Sequence, residues 1–433
     1  MTVPLKTTAV DPTMLRRAAV ASTVGSAVEF YEFTIYGFLA VVFAPQFFPA
    51  DDPTASTLAA LAVFGGGYLA RPLGGILFGA WGDRVGRRSV LMATIFLMGG
   101  ASIAIGLLPT YATAGLLAPA LLLVLRLVQG LSAGGEFTGA QTYIVEMAPS
   151  RRRGVYGSLP ALGIGLGFAV AALVVATTNA ALDGAQMSDW GWRLPFLLCL
   201  PMTVGCLFLR LRLEDSPEFA AIVAGAEVTR TPVRDVLRGH LPDVLRVAGL
   251  TIAVLGPGFL AKLYLGIHLV QISDLDPVHV YTLLGVLLLV TAALFPVMGQ
   301  LSDRLGRRPI ARAGFAASAL LSLPLFLVVD ATTNLWLIAP ILLLFTAIEP
   351  FVSASVYTTF AELFPGRTRY TGTSLGFNLG TIVAAGFGPY VCGQLITATG
   401  WHAAPGLWGT ACAVLGLLVL TRTRETSRAA LAR

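Results

Sequence analysis

The sequence predicts an all-α integral membrane protein with twelve transmembrane helices arranged as two six-helix bundles. Three observations support this fold class: the composition, the spacing of the apolar segments, and the alternation of charge between them. Of the 433 residues, 56% are hydrophobic and 12% are charged, and the mean hydropathy is +0.78. Because a soluble chain carries about 25% charged residues, we expect lipid to be the solvent for most of this surface.

Twelve apolar segments are long enough to cross a bilayer, which takes roughly 20 residues per helix. They lie near 17–43, 55–81, 89–109, 115–147, 154–180, 191–213, 244–270, 278–302, 309–329, 333–358, 369–396 and 402–421. The first apolar run has no small-residue cleavage site after it, so we expect a retained helix rather than a signal peptide. The polar stretch at 214–243 predicts that the chain divides into three parts. These are an N-terminal bundle (1–213), a linker (214–243) and a C-terminal bundle with a short tail (244–433).

Basic residues occupy every second loop. They crowd the segments 16–17, 84–88, 151–153, 210–246, 304–312, 367–369 and 422–433. The alternate loops, near 44–54, 109–115, 177–189, 271–279, 330–334 and 397–400, contain no Lys or Arg. By the positive-inside rule, both termini and the linker are therefore cytoplasmic. The net charge of +6 is accordingly a topology signal, and we expect no nucleic-acid partner.

The two halves repeat each other. The residues Gly79, Asp83, Arg84, Gly86, Arg87 and Arg88 recur 220 positions later as Gly299, Asp303, Arg304, Gly306, Arg307 and Arg308. A second repeat follows the fourth helix of each half: Glu146, Pro149 and Arg153 recur as Glu362, Pro365 and Arg369, 216 positions later. Parallel six-helix repeats are typical of transporters that bind their cargo near the bilayer midplane between the halves.

The chain has no pattern that indicates an enzyme. It contains no Walker loop, zinc-ligand spacing or nucleophile elbow. Its cysteines, Cys199, Cys206, Cys392 and Cys412, all lie in apolar spans and suggest neither a disulfide framework nor a metal site. We therefore expect a transporter with no cofactor.

Six stretches resemble the major facilitator superfamily, and within it the metabolite:proton symporter group. They are GSAVEFYEFTIYG at 25–37, RPLGGILFGAWGDRVGRR at 71–88, RLVQGLSAGGEFTG at 126–139, DWGWRLP at 189–195, EDSPEF at 214–219 and AELFPGRTRYTGTSLGFN at 361–378. The resemblance implies a monomeric transporter of the bacterial inner membrane that uses the proton gradient. Its cargo would be a small carboxylate or zwitterion, such as proline, betaine, a dicarboxylate, citrate or shikimate. Three residues depart from the group: Glu32, where aspartate is usual, Lys262 and Glu349.

The ionisable side chains inside the predicted spans are the candidate coupling residues. Each costs at least about 2.5–3.5 kcal/mol to place in a bilayer, so such residues usually face a cavity or a partner. Glu29, Glu32 and Tyr36 share one face of the first helix. The proton-coupling candidates are Glu32, Arg126, Glu136 and Glu29. The resemblance to sugar porters, which carry an acid–arginine pair at the matching positions, favours Glu32 as the proton carrier and Arg126 as its partner.

A structural interpretation stays open for several of these charges. Glu29 and Arg126 could form a static pair that only holds two helices together. Arg71, which precedes Pro72, is more typical of a structural residue than of a ligand. The predicted substrate-binding residues are Tyr36, Arg126, Gln129, Lys262, Tyr264, Glu349, Ser374 and Asn378. Lys262 favours an anionic cargo, and Glu349 could neutralise Lys262 between transport events.

The repeated basic loops are predicted to close the cytoplasmic side while the outside is open, as the resemblance implies. The gating candidates are Asp83, Arg84, Arg87, Arg88, Glu146, Asp303, Arg304, Arg307, Arg308 and Glu362. The two aspartates could accept from arginines or cap neighbouring helices, and the arginines could bridge to Glu146 and Glu362. The alternative is that these basic loops only set the topology of the chain.

Two transport directions remain open. Proton symport of a carboxylate or zwitterion into the cell is the first, and the positive charge of Arg126 favours it. Proton-coupled antiport that exports a drug or biosynthetic product is the second. Exporters of the superfamily tend to carry a GPxxGG-type block in the fifth span, and PALGIGLG at 160–167 fits that block poorly. A sensor would need an output domain, and the tail after Thr421 has only a dozen residues.

Overall fold

The computed structural model describes residues 12–51, 53–85, 87–211, 232–366, 368–427, 429 and 431, with side chains except at 79–91 and 232. Ten of its helices are long and apolar enough to cross a membrane, and two shorter apolar helices complete twelve spans in the described chain. They are α1 (Pro12–Phe47), α2 (Pro53–Phe78), α3 (Arg87–Gly106), α4 (Leu117–Met147), α5 (Ser150–Ala181), α6 (Arg193–Leu211), α7 (Leu241–Gln271), α8 (Pro277–Leu305), α9 (Arg307–Ala331), α10 (Leu335–Leu363), α11 (Arg369–Thr399) and α12 (Pro405–Thr421). The all-helical prediction is confirmed.

Large apolar side chains cover the outside of the described helices. Trp336, Leu320 and Phe96 are among the most exposed. In water such a surface would be unfavourable, whereas in a bilayer it meets hydrocarbon. Charged residues of the spans are instead buried: Arg71, Arg126 and Lys262 are fully enclosed. At these positions the fold therefore has the reverse of the arrangement in soluble proteins, with apolar side chains outside and charged side chains inside.

Glycines bring the helices into backbone contact. A Cβ on Gly130 of α4 would lie 1.7 Å from the carbonyl oxygen of Gly67 on α2, and one on Gly163 of α5 would lie 2.2 Å from that of Thr23 on α1. Small residues allow such close approach between membrane helices. This packing explains the glycines of the fifth span, which allow α5 to approach α1 closely.

Several of the described helices are interrupted along their length, among them α4, α7 and α11. Gly134 and Gly135 separate the two parts of α4, and π-helical turns occur at Leu260–Tyr264 in α7 and Ile382–Gly386 in α11. Pro257 precedes the turn in α7, where its missing N–H leaves a carbonyl without its usual helical partner. Such π turns are frequent at functional sites, and the one in α7 contains Lys262.

Twelve crossings place the first residue of α1 and the last of α12 at the same end of the molecule, which we call the termini end. There the halves are joined by Asp303 at the end of α8, whose carboxylate accepts from the N–H groups of Gly154 (2.8 Å) and Val155 (3.1 Å). At the opposite end, the Tyr281 hydroxyl donates to the Phe38 carbonyl (2.9 Å). The halves thus contact each other at both ends, and Arg126 and Lys262 in the centre are fully buried.

Candidate functional site

A chain of buried hydrogen bonds connects Glu32 to Arg126. Arg126 Nη1 donates to Gln129 Oε1 (2.8 Å), and Gln129 Nε2 donates to the Ser102 hydroxyl (2.7 Å). Ser102 Oγ in turn donates to Glu32 Oε2 (2.8 Å), and Thr203 Oγ1 donates to Oε1 (3.2 Å). Among the described side chains, Glu32 and Arg126 are therefore connected through Gln129 and Ser102 and do not form a direct ion pair. The polar side chains of α3 and α4 separate the two charges, and the connection runs through them.

Arg126 lies in a box of aromatic rings. Its guanidinium carbon is 4.3 Å from the ring centroid of Tyr36, 4.8 Å from that of Phe33 and 5.0 Å from that of Phe64. Rings at these distances attract a cation through their quadrupoles. Arg126 Nε and Nη2 are buried without a hydrogen-bond partner in the described structure. Because buried donors are normally paired, these two N–H groups mark a place where an acceptor can bind.

Glu29 pairs with Arg71, not with Arg126. The Arg71 Nη2–Glu29 Oε1 distance is 3.2 Å, and both side chains are buried. Arg71 also lies over the rings of Phe33 (4.4 Å) and Tyr68 (4.5 Å). The static Glu29–Arg126 pair considered above is therefore wrong, because α2 places Arg71 next to Glu29 and α4 turns Arg126 toward Gln129. The structural interpretation of Arg71 agrees with this pairing.

Glu136 forms a buried ion pair with Arg210. The Arg210 Nη2–Glu136 Oε1 distance is 2.7 Å. Glu136 begins the second part of α4, after the two glycines, and Arg210 lies in the last turn of α6. The pair ties α4 to α6 within the N-terminal half. Glu136 is thus already neutralised by a neighbouring helix in this conformation.

Lys262 and Glu349 meet inside the C-terminal half. Lys262 Nζ contacts Glu349 Oε1, and the two side chains are 1% and 12% exposed. Lys262 Nζ also lies 4.8 Å from the centroid of Phe168, which belongs to α5 in the other half. The structure therefore brings together the two charges that depart most from the family pattern.

The remaining predicted binding residues lie in two places. The Tyr36 hydroxyl donates to the Ala60 carbonyl (3.1 Å), while its ring helps enclose Arg126. Tyr264 is buried beside Phe326, at 6.5 Å between centroids, and so packs within the C-terminal half. Asn378 Nδ2 and Ser374 Oγ both donate to the carbonyl of Gly134 on α4, at 2.6 and 3.3 Å. In this conformation these two side chains tie α11 to α4 instead of facing a cavity.

A network of charges closes the termini end. Arg307 contacts Asp303 (2.8 Å) and Glu362 (3.3 Å), as the repeat predicts. A contact between the halves comes from Arg369, whose Nη1 lies 2.8 Å from Glu146 Oε1. Asp303 caps the start of a helix in the other half, as expected for an aspartate that caps a neighbouring helix. Of the other predicted gating residues, Arg304 is exposed. The side chains of Asp83, Arg84, Arg87 and Arg88 lie outside the part that the structure describes.

The tail after α12 joins this network. Both oxygens of Glu425 accept from the backbone of α9, at 2.9 Å from Arg307 N and 2.9 Å from Arg308 N. Burial alone would raise the pKa of Glu425, but the N–H donors of Arg308, Arg307 and Ser427 outweigh it and hold that pKa below its usual value. The tail also reaches the N-terminal half, because Arg153 Nη1 donates to the Ala429 carbonyl (3.1 Å).

Sequence reasoning missed the residues that make the connections. Ser102 and Thr203, the two donors to Glu32, are single hydroxyls in apolar spans, and nothing in their local sequence distinguishes them. Arg210 falls at the end of a span, where an arginine is expected for topology. Arg369 was visible as a member of the repeat, since it occupies the position of Arg153 in the other half, and that signal could have placed it among the gating residues.

The model of the Major Facilitator Superfamily matches residues 23–385 of this chain. The proline/betaine transporter of Escherichia coli strain K12 is 33% identical over 429 residues, covering 97% of this chain and 85% of that protein. The shikimate transporter of the same strain is 35% identical over 393 residues, covering 89% of this chain and 90% of that protein. An ectoine/proline transporter of Corynebacterium glutamicum is 32% identical, covering 96% and 86%.

Solved structures share the fold. The proton:xylose symporter XylE bound to 6-bromo-6-deoxy-D-glucose superposes with a TM-score of 0.78 at 15% identity, covering 96% of this chain and 97% of that one. A partially occluded inward-open form of the xylose transporter from E. coli gives 0.75 at 16% identity, covering 97% and 100%. At this identity the likeness concerns the arrangement of helices alone.

Proposed function

The chain belongs to the Major Facilitator Superfamily and is a multi-pass membrane transporter, and from that premise we propose that it is a proton-coupled symporter. Its cargo is a small carboxylate or zwitterionic metabolite, taken up by alternating access of a site between the two halves. It works as a monomer in the bacterial inner membrane with both termini in the cytoplasm, driven by the proton gradient without a cofactor. The named transporters of proline, betaine and shikimate among its relatives support this cargo class.

The observation that carries the proposal is the buried path from Glu32 to Arg126. Arg126 has two unpartnered N–H groups, which suit the two oxygens of a carboxylate. Among the described side chains, Glu32 has no arginine in contact and accepts from two hydroxyl donors. A cargo carboxylate that neutralises Arg126 leaves an ionised Glu32 uncompensated in a dry site, which is costly. Cargo and proton therefore bind together.

Ser102 allows Glu32 to gain and lose a proton without losing its hydrogen bond. The Ser102 hydroxyl lies within reach of Glu32 Oε2 (2.8 Å) and of its own helix carbonyl at Met98 (3.0 Å). It has one hydrogen to donate. It donates to Glu32 when that carboxylate is ionised, and to Met98 when Glu32 is protonated and itself becomes the donor. Both protonation states are thereby satisfied at the same geometry.

The cargo lies between Arg126 and the C-terminal half. We assign its contacts to Tyr36 and Gln129 around Arg126 and to Lys262 across the interface, with Glu349 as the partner of Lys262 when no cargo is bound. Glu136 and Glu29 support the coupling site through their arginine partners. Ser374 and Asn378 are released from Gly134 when the termini end opens, and only then can they reach the cargo. Tyr264, which belongs to α7, packs against Phe326 and stabilises the position of that helix.

The charge network at the termini end acts as the cytoplasmic gate. Asp303, Arg307, Glu362 and Glu146 hold the halves together in the closed state, with Arg304 and Arg308 beside them. By the repeat, Asp83, Arg84, Arg87 and Arg88 act in the same way on the other half. The gate opens when the halves rock apart around the bound cargo.

The test uses purified protein in liposomes loaded with a pH-sensitive dye, with proline, betaine, dicarboxylates, citrate or shikimate added outside. We expect one compound to acidify the lumen in the wild type and to fail in Glu32→Gln. The matched control is Asp274→Asn: this exposed loop residue has a φ of 52°, which asparagine tolerates well. Acidification that persists in Glu32→Gln contradicts the coupling role. A proton gradient that drives a solute out instead contradicts uptake and supports export.

A further inference from the structure

Lys262 and Glu349 form an ion pair within the C-terminal half, and Lys262 also faces Phe168 of the other half. Lys262 sits in the π-helical turn of α7, and Glu349 lies in the middle of α10. Within the described part of the chain, Lys262 forms its ion pair with the carboxylate of Glu349. The pair is separate from the Glu32 path, which belongs entirely to the N-terminal half.

The surroundings of this pair are mostly apolar. A small cavity beside it is lined by side chains of α7, α9 and α10, including Val254, Phe345 and Val352. Thr346, which also lines the cavity, donates its hydroxyl to its own helix at Leu342. Apart from Glu349, the contact that the structure gives to Lys262 Nζ is the face of Phe168. Without Glu349, the ammonium would therefore be enclosed with little to compensate its charge.

An uncompensated charge on Lys262 affects the transport cycle when no cargo is bound. To return without cargo, an alternating-access carrier must pass through a state in which both ends are closed and the centre is dry. Removing one partner of a buried pair leaves an uncompensated charge, which is strongly unfavourable. A carrier with an uncompensated lysine in its centre would close only with an anion bound, and it would exchange one anion for another without net transport.

We propose that Glu349 is the internal counter-ion that allows the empty carrier to close and return. The cargo anion displaces Glu349 from Lys262 when it binds, and Glu349 takes its place again when the cargo leaves. The pair thus makes net uptake possible in a carrier whose binding site holds a fixed positive charge. This inference rests on the proposed binding of an anionic group, and it assigns Glu349 the role of a positioning residue that acts through Lys262.

The first test compares net uptake with exchange in proteoliposomes, using the compound that acidifies the lumen in the assay above. Net uptake is measured into empty liposomes, and exchange is measured as counterflow into liposomes preloaded with the same compound. In Glu349→Gln we expect net uptake to fall by about tenfold or more, since the bare lysine opposes closure of the empty carrier. Counterflow should stay within about threefold of wild type, because the cargo anion then compensates the lysine.

The double variant Lys262→Met/Glu349→Gln is the matched control. It removes both charges and keeps similar side-chain volumes, so the empty carrier should close again and the ratio of uptake to counterflow should return to that of the wild type. A loss of uptake and counterflow in equal proportion in Glu349→Gln overturns the proposal. So does a double variant whose ratio stays as low as that of the single variant, because the defect would then not depend on the charge of Lys262.

The second test needs no cargo and monitors closure of the opposite end directly. Gln271 Nε2 donates to Thr57 Oγ1 (3.0 Å) between the halves. In a Thr57→Cys/Gln271→Cys background, a short bifunctional thiol reagent should cross-link the empty protein when that end is closed. We expect cross-linking to fall several-fold on adding Glu349→Gln, and to recover when Lys262→Met is added as well.

Equal cross-linking with and without Glu349→Gln overturns the proposal. The cross-linking result is independent of which solute is carried and of whether protons accompany it. If the assignment of the cargo or of proton coupling is wrong, the dye assay therefore fails while the cross-linking pattern stays as expected. A wrong assignment of Glu349 appears as an unchanged cross-linking pattern.

Discussion

Ser102 shows how one small side chain can decide the behaviour of a buried charge. Its hydroxyl accepts from Gln129 and faces both Glu32 and the Met98 carbonyl. A hydroxyl donates one hydrogen and accepts two, so these contacts use its capacity fully when Glu32 is protonated and donates to it. Thr203 supplies a second hydroxyl to the other oxygen of Glu32. At the residue scale, the proposed coupling thus depends on uncharged neighbours as much as on Glu32 and Arg126.

Ser102→Ala is predicted to weaken coupling without removing any charge. Glu32 Oε2 and Gln129 Nε2 would both lose a partner, and an unsatisfied buried polar group costs about 1–3 kcal/mol. We expect proton uptake with the cargo to fall by roughly tenfold, measured as dye acidification alongside radiolabelled solute.

Ser132→Ala is the control for this change. Ser132 is also fully buried, but its hydroxyl donates to the carbonyl of Val128 on its own helix, so its loss should leave transport nearly unchanged. If Ser102→Ala and Ser132→Ala behave alike, the hydrogen-bonded path does not participate in coupling.

The helices that hold this site are positioned by backbone contacts. Gly67 and Gly130 bring α2 and α4 together, so that Arg71 and Arg126 both reach the ring of Phe33 on α1. The break at Gly134 also exposes a carbonyl to Asn378 of the other half. At the element scale, glycines decide which polar side chains can meet.

Gly130→Ala is predicted to destabilise the protein. The new Cβ would lie 1.7 Å from the Gly67 carbonyl oxygen, and a backbone atom cannot yield as a flexible side chain can. Overpacking of this kind costs about 1–3 kcal/mol or more, and the thermal unfolding of detergent-purified protein should occur at a clearly lower temperature.

Gly100→Ala provides the comparison. A Cβ there meets nothing within 4 Å, and alanine favours the helix more than glycine does. We expect no loss of thermal stability in this variant. Equal destabilisation by both substitutions would show that helix contact at Gly130 does not limit the packing.

Described residues of the two halves contact each other at both ends of the molecule. At the termini end these are strong and charged, with Asp303 accepting two backbone N–H groups and Arg369 paired with Glu146. At the opposite end they are neutral, as for Tyr281 with Phe38. Hydrogen bonds to charged groups are roughly twice as strong as neutral ones. Opening of the opposite end should therefore be the easier of the two movements.

Asp303→Asn is predicted to loosen the termini end. The amide loses the charge that attracts Arg307 and one of the two oxygens that accept from Gly154 and Val155. Hydrogen bonds to charged groups contribute about 1.5–3 kcal/mol each. In a Ser158→Cys background, whose position is fully buried beside this contact, maleimide labelling should accelerate by roughly tenfold.

Asp183→Asn tests whether any lost carboxylate has this effect. Asp183 caps a short helix at the opposite end, so labelling of Ser158→Cys should be unaffected by it. Unchanged labelling in Asp303→Asn would mean that Asp303 does not hold the halves together.

The sequence by itself determined the number of spans, the internal repeat and most of the charged residues that lie buried in the spans. These follow from hydropathy and spacing along the chain, which are one-dimensional properties. The tertiary structure alone decided the partners: Glu29 with Arg71, Glu136 with Arg210, and Glu32 connected to Arg126 through Ser102. Neighbouring positions on a helix point about 100° apart, so a small rotation or displacement of a helix changes which side chain faces which. The packing of glycines and rings between helices sets that rotation.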